Sequence, residues 1–205
     1  LESGFFEGKI LINLDSEDEG ELFIGCAGGI DTTASFDFDR ETIPEDHTAY
    51  TIQVTGLKGG HSGDEIDKGL GNALKIVNRF LWNIMDPYEV KLSSFHGGKA
   101  RNAIPREAEA TLTVHEDDLE NVKTYFEQFE QIVKNELKST EPGLTLTFHQ
   151  TEMPEFVIDE DTQHDLINAL YACPHGVYAW SREIEDLVET STNLAAIKTQ
   201  KNDTF

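Results

Sequence analysis

The chain has 205 residues and sets 16 Lys+Arg against 39 Asp+Glu, a formal net charge of −23. That balance lacks the clustered cations on which phosphate binding rests, so it argues against nucleic acid and against an anionic membrane surface as partners. Hydrophobic content of 38% with 12 Phe is enough for a core; a chain of this length can bury about 70% of its unfolded surface, and no apolar run approaches the ~20 residues of a membrane helix.

The first element is Lys9 to Leu14, KILINL, a nearly continuous apolar run that reads as a strand buried on both faces. An acidic cluster follows at Asp15, Glu17, Asp18, Glu19 and Glu21. Leu22 to Ile24 and a glycine-rich break at Gly25-Cys26-Ala27-Gly28-Gly29 come next, and a domain boundary is expected near Gly28 to Asp31. The pattern then turns to alternation. Phe36 and Phe38 alternate with Asp37 and Asp39, and Ile52 and Val54 with Thr51, Gln53 and Thr55, each reading as a half-buried strand.

After Gly59-Gly60-His61-Ser62-Gly63 the spacing predicts a helix from about Asp64 to Met85. Ser62 with Glu65 fits a capping box at its start, Asp86-Pro87 ends it, and Gly69 and Gly71 weaken its first turns. Two alternating strands follow, at Val90–Leu92 and Ala108–Val114, separated by the loop HGGKARNAIP at 96–105. A second helix is expected from about Asp118 to Lys138, closed by Pro142-Gly143, and then a strand at Leu144–Phe148.

Strand, helix, strand, strand, helix, strand is the split β-α-β plan. The expected class is therefore α+β, a ferredoxin-like antiparallel sheet with helices on one face. Residues 1–30 read as a piece of a separate α/β domain and 31–205 as the main unit, of which 31–150 complete one ferredoxin-like motif. Residues 151–205 read as the opening of a further unit, with a helix near 162–171 and strands near 177–180 and 193–198. The chain begins at Leu1 without Met or a basic region ahead of an apolar one, and stops at Phe205 with no closing element. It is expected to be a segment of a longer protein with no signal peptide.

Three places could carry chemistry. Asp15 stands immediately after the first strand, where open α/β sheets present ligand-binding groups, and could ligate a hard or borderline metal. An EF-hand reading fails, because Cys26 stands at the twelfth position and no helix precedes Asp15. His61 lies among glycines that let the backbone approach a ligand, and its imidazole could donate to a carbonyl or an oxyanion. Asn102, in a loop that also holds Lys99 and Arg101, could donate and accept at once. Each has a plainer reading: a solvated acidic turn, a loop histidine without a task, and a hairpin Asn tolerant of left-handed geometry. Among the 7 His no H-E-x-x-H pair occurs. No nucleophile elbow, P-loop or dinucleotide fingerprint occurs, and Cys26 and Cys173 read as packing residues.

Four segments in order, LINLDSEDEGELFIGCAGG, GLKGGHSGDEI, HGGKARNAIPREAEA and LVETSTNLA, resemble the cytosolic aminoacyl-histidine dipeptidases. These are the Xaa-His or bacterial carnosinase-like enzymes of the dizinc aminoacylase/carboxypeptidase metallopeptidase clan. The resemblance implies a zinc-dependent dipeptidase with a catalytic domain and a lid domain through which it forms a homodimer, and of which this chain is mostly lid. It implies that Asp15 ligates one of two zinc ions, that His61 reaches the substrate in a neighbouring active site to stabilise the tetrahedral intermediate, and that Asn102 holds the substrate. It implies a cytoplasmic protein. The other zinc ligands and the general base of such a site are absent here, so the segment alone is expected to be inactive. Two other readings stay open: a non-catalytic ferredoxin-like regulatory or dimerisation module, and a relative acting on longer peptides or acyl-amino acids.

Overall fold

The computed structural model describes residues 7–10, 12, 19–20 and 26–200. Asp15, most of the acidic cluster and Leu22–Ile24 lie outside them, as do Leu11, Asn13 and Leu14 of the first apolar run. Two compact units are present, Leu1–Thr32 and Thr33–Phe205. In the first, the described Lys9, Ile10 and Ile12 are exposed.

The second unit runs through β1 (Arg40–Glu41), β2 (His47–Thr55), β3 (Gly60–His61), α1 (Ala73–Met85), β4 (Val90–Gly97), β5 (Ala103–Ile104) and β6 (Ala108–His115). It continues with α2 (Leu119–Leu137), β7 (Thr145–Gln150), β8 (Val157–Ile158), α3 (Glu160–Ala172), β9 (Gly176–Trp180), β10 (Val188–Thr192) and β11 (Ile197–Lys198). The main sheet has the order β11-β4-β6-β2-β7, with every neighbouring pair antiparallel. The order β4-β6-β2-β7 around α1 and α2 is the split β-α-β arrangement, so the α+β class read from periodicity is the observed one.

Period-2 patterning decides which face each strand residue takes. Ile52, Val54, Ala110, Leu112, Val114, Leu92 and Phe95 enter the core beneath the helices. Thr51 and Thr111 pair hydroxyls at 3.3 Å, and the buried His47 Nδ1 lies 3.0 Å from Thr113 Oγ1. From α1 come Leu74, Val77, Phe80, Leu81 and Ile84, and from α2 Val122, Phe129 and Val133, all buried. Phe80 is the hub of this layer: its ring centre lies 5.5–5.8 Å from those of Tyr125, Phe126, Phe129 and Phe148. It thereby ties α1, α2 and β7 together.

Helix α1 starts at Ala73, nine residues later than the apolar spacing predicts. Gly69 holds φ +64°, a left-handed turn that interrupts a helix at little cost only for glycine. Asn72 then opens the helix as N-cap, its Oδ1 accepting from Leu74 N–H at 3.0 Å and Lys75 N–H at 3.3 Å. Residues 36–38 make only an isolated bridge rather than a strand, though Phe38 is buried. The elements beyond residue 151 return to the same body. Helix α3 packs on α1, β8 pairs with β1, and β11 adds an edge to β4.

Phe80→Ala removes the shared ring and is expected to cost about 3–5 kcal/mol. Denaturant unfolding should show a lower midpoint with the slope retained; an unchanged midpoint would contradict the assigned hub.

Candidate functional site

The segment 56–72 and the loop 97–105 leave different strands and meet in a short antiparallel bridge, with Gly60 opposite Ile104 and His61 opposite Ala103. Ser62 N–H extends it by donating to the Asn102 carbonyl at 3.0 Å. The two candidate residues on the described part of the chain, His61 and Asn102, are thus on adjoining backbone, and both are exposed. Their glycines follow from close approach. Gly98 has φ +70°, and a Cβ there would fall on the Ala195 carbonyl oxygen. A Cβ on Gly60 would lie 2.8 Å from Leu70 Cδ1 and 2.9 Å from Glu65 Oε2.

The imidazole of His61 is held by its own turn. Its Nδ1 accepts from Gly63 N–H and Asp64 N–H, each at 3.2 Å. Glu65 reaches back, Oε2 accepting from His61 N–H at 2.9 Å. The capping box expected of Ser62 with Glu65 does not form, because residues 62–67 make turns rather than a helix; His61 Nδ1 and Glu65 Oε2 satisfy amides of that turn instead. Asp64 Oδ2 also lies 3.3 Å from Nδ1, a contact that attracts only if that nitrogen carries a proton. Two backbone donors aimed at Nδ1 favour the lone pair there, so in the neutral ring the proton sits on Nε2. Nε2–H is then a donor facing away from the turn. Hydrogen bonds from His61 N–H and Lys68 hold the Glu65 carboxyl below its ordinary range.

A strap from the end of the chain locks this arrangement. Asn193 Nδ2 donates to the carbonyls of Ala103 at 2.8 Å and Arg101 at 3.5 Å, one on each side of Asn102. Asn72 Nδ2 donates to the Leu194 carbonyl at 2.9 Å. Asn193, expected to open a strand over 193–198, lies instead between β10 and β11, where it fixes the loop that bears Asn102. An Asn inside a polar run is too common a loop residue to single out, and only the tertiary contact reveals it.

Beside the strap, Asn72 Nδ2 lies 3.2 Å from His175 Nδ1. Burial, and then the nearby Lys75 ammonium, push His175 down to about 4. Lys75 itself is lowered by burial, and Nζ donates to the carbonyls of Leu170, Tyr171 and Cys173 at 2.7, 3.0 and 2.8 Å. Leu170 and Tyr171 stand in the last turn of α3 and Cys173 is its C-cap, where a cation is favoured.

No cluster of three or more His, Cys, Asp or Glu that could hold a metal occurs among the described residues. These residues do not fit a dizinc centre, and Asp15 lies outside them. None of the described helices is long and apolar enough to cross a membrane.

Residues 46–141 match the family described as peptidase dimerisation domain. Over 202 residues, 98% of its length, the chain is 40% identical to the cytosol non-specific dipeptidase of Escherichia coli (strain K12), covering 42% of that protein. The structure is similar to that of aminoacylhistidine dipeptidase from Vibrio alginolyticus, with TM-score 0.90 and 39% identity, covering all of this chain and 41% of that one. The chain spans about two fifths of the length of these relatives.

The His175 shift has a defined sign. A histidine kept neutral by folding stabilises the protein above about pH 6.5, and that stability is lost as pH falls from 6.5 towards about 4. His175→Gln should remove a slope on the order of 2 kcal/mol across this window, allowing for the part of the ring still in water. Parallel unfolding curves for variant and parent at pH 7 and pH 4.5 provide the test; an identical pH dependence would contradict it.

Proposed function

With residues 46–141 matching the family described as peptidase dimerisation domain, we propose that this chain is the lid-bearing segment of a zinc-dependent dipeptidase acting on Xaa-His and related dipeptides. The observation that carries the reading is the backbone bridge that sets His61 beside the loop of Asn102. The identity to a cytosol dipeptidase along nearly the whole chain agrees with it, as does that relative's name with a cytoplasmic location.

In this reading residues 1–30 belong to the catalytic domain and 31–205 to the lid, which forms a homodimer. Asp15 ligates one of two zinc ions, whose remaining ligands come from outside residues 1–205. A single carboxylate cannot hold two zincs. The chemistry of this chain's own lid residues is simpler. His61 Nε2–H donates to the oxygen on which negative charge develops when the peptide carbonyl becomes tetrahedral. That donor is already oriented by the Gly63 and Asp64 amides, so little reorganisation accompanies the reaction. Asn102 holds a polar group of the dipeptide with its side-chain amide. The bridge keeps both groups in one frame, so that His61 reaches across the dimer into a neighbouring site.

In the full-length protein carrying this chain, His61→Ala should lower kcat for Ala-His or β-Ala-His by about 10²–10³-fold with a far smaller change in KM. The 205-residue chain alone, supplied with zinc, should show no turnover. Full activity of the variant would refute the role of His61, and turnover by the segment would refute the division of the site.

A further inference from the structure

Glu141 is a buried acid outside the groups considered so far. It is 2% exposed and sits just beyond α2, where Glu141 N–H donates to the Leu137 carbonyl at 2.7 Å. Its carbonyl accepts from Leu144 N–H at 3.1 Å, which fixes the turn on which it stands. The place is unfavourable for an anion twice over. Burial removes its hydration, and the C-terminal end of a helix already carries partial negative charge.

What offsets those costs is specific. Oε2 accepts from Lys58 N–H at 2.8 Å and Oε1 from Gly71 N–H at 2.9 Å. Lys58 and Gly71 bracket the stretch that contains His61. Between them lie Gly59 at φ +67° and Gly69 at φ +64°, as well as Gly60 and Gly63. A segment so rich in glycine loses much conformational freedom on ordering, and a single carboxylate closes it at both ends. Gly71 fits this contact, since a Cβ there would stand 3.4 Å from Glu141 Cγ and 2.8 Å from Leu57 Cδ2.

We propose that Glu141 is a positioning residue for His61, holding the two ends of the 58–71 segment so that the imidazole stays where the substrate needs it. The proposal rests on the role given to His61 above. Glu141 touches no substrate and acts through the loop alone. Of the two amides it binds, a glutamine in its place could accept from only one, because its own NH₂ would face the other donor to donor. One end of the segment would then be released while the core stayed intact.

Glu141→Gln is tested in two ways. In the 205-residue chain, amide hydrogen exchange at Lys58 or Gly71 should speed by roughly tenfold or more, as expected when local opening becomes easier, with the amides of β2 and β6 unchanged. In the full-length protein kcat should fall by about 10²-fold with KM nearly constant, as for a group displaced by about an ångström. If the glutamine variant loses its sheet protection, Glu141→Asp, which keeps the charge but shortens the reach, is read by the same two measurements. Unchanged exchange at both amides in a folded variant overturns the proposal. So does faster exchange with undiminished kcat. If His61→Ala lowers kcat and Glu141→Gln does not, Glu141 alone has been misassigned. If His61→Ala leaves kcat intact, the reading of the site fails and takes this proposal with it.

Discussion

Two residues of backbone pairing, Gly60–His61 against Ala103–Ile104, join loops that depart from different strands of the sheet. Everything proposed for the site depends on that bridge. Each loop alone is glycine-rich and would sample many conformations. Paired, they restrict one another, and three further groups restrict the pair. Asn193 takes the carbonyls on either side of Asn102, Glu141 takes the amides at both ends of the His61 segment, and Asn72 ties the start of α1 to Leu194. These bonds run from side chains to backbone. They fix where the chain goes and leave the His61 and Asn102 side chains exposed.

The core supplies the rigid base on which this depends. The aromatic cluster around Phe80 packs α1 and α2 against β7, while the segment to be positioned lies between β2 and α1. The net charge of −23 does not oppose this arrangement, because most carboxylates among the described residues are exposed. Pairs such as Arg79–Glu136 at 2.9 Å and Lys91–Glu160 at 2.8 Å contribute little each in solvent. Glu141 is different in kind: it is buried, and its partners are backbone amides rather than cations.

Much of the fold was legible because periodicity and burial agree. The alternation at 108–114 and the 3/4 spacing of α2 correspond to β6 and to a helix that buries Val122, Phe129 and Val133. The start of α1 was not legible. Ile66 and Leu70 extend the helical spacing, and only the left-handed geometry of Gly69 with the cap at Asn72 shows that the helix begins later. At the site, the glycines around His61 and Asn102 mark tight backbone, but the pairing of the two loops is a tertiary fact. Asn193, Glu141 and His175 are similarly invisible from spacing, since a polar residue in a loop looks alike whether it faces solvent or bonds a distant carbonyl. The edge strand β11 and the hairpin of β9 with β10 come from runs too short for periodicity to settle their partners.

In the role proposed for it, His61 presents Nε2–H to the reacting carbonyl from a turn that already holds Nδ1. A crystal structure of the full-length protein with a phosphinic dipeptide mimic, whose tetrahedral phosphorus imitates the hydrated carbonyl, tests it most directly. The account predicts Nε2 of a His61 at about 3 Å from a phosphinyl oxygen, with Nδ1 still accepting from Gly63 and Asp64. A His61 ring turned away from the ligand, with no polar contact to it from either subunit, would contradict the account.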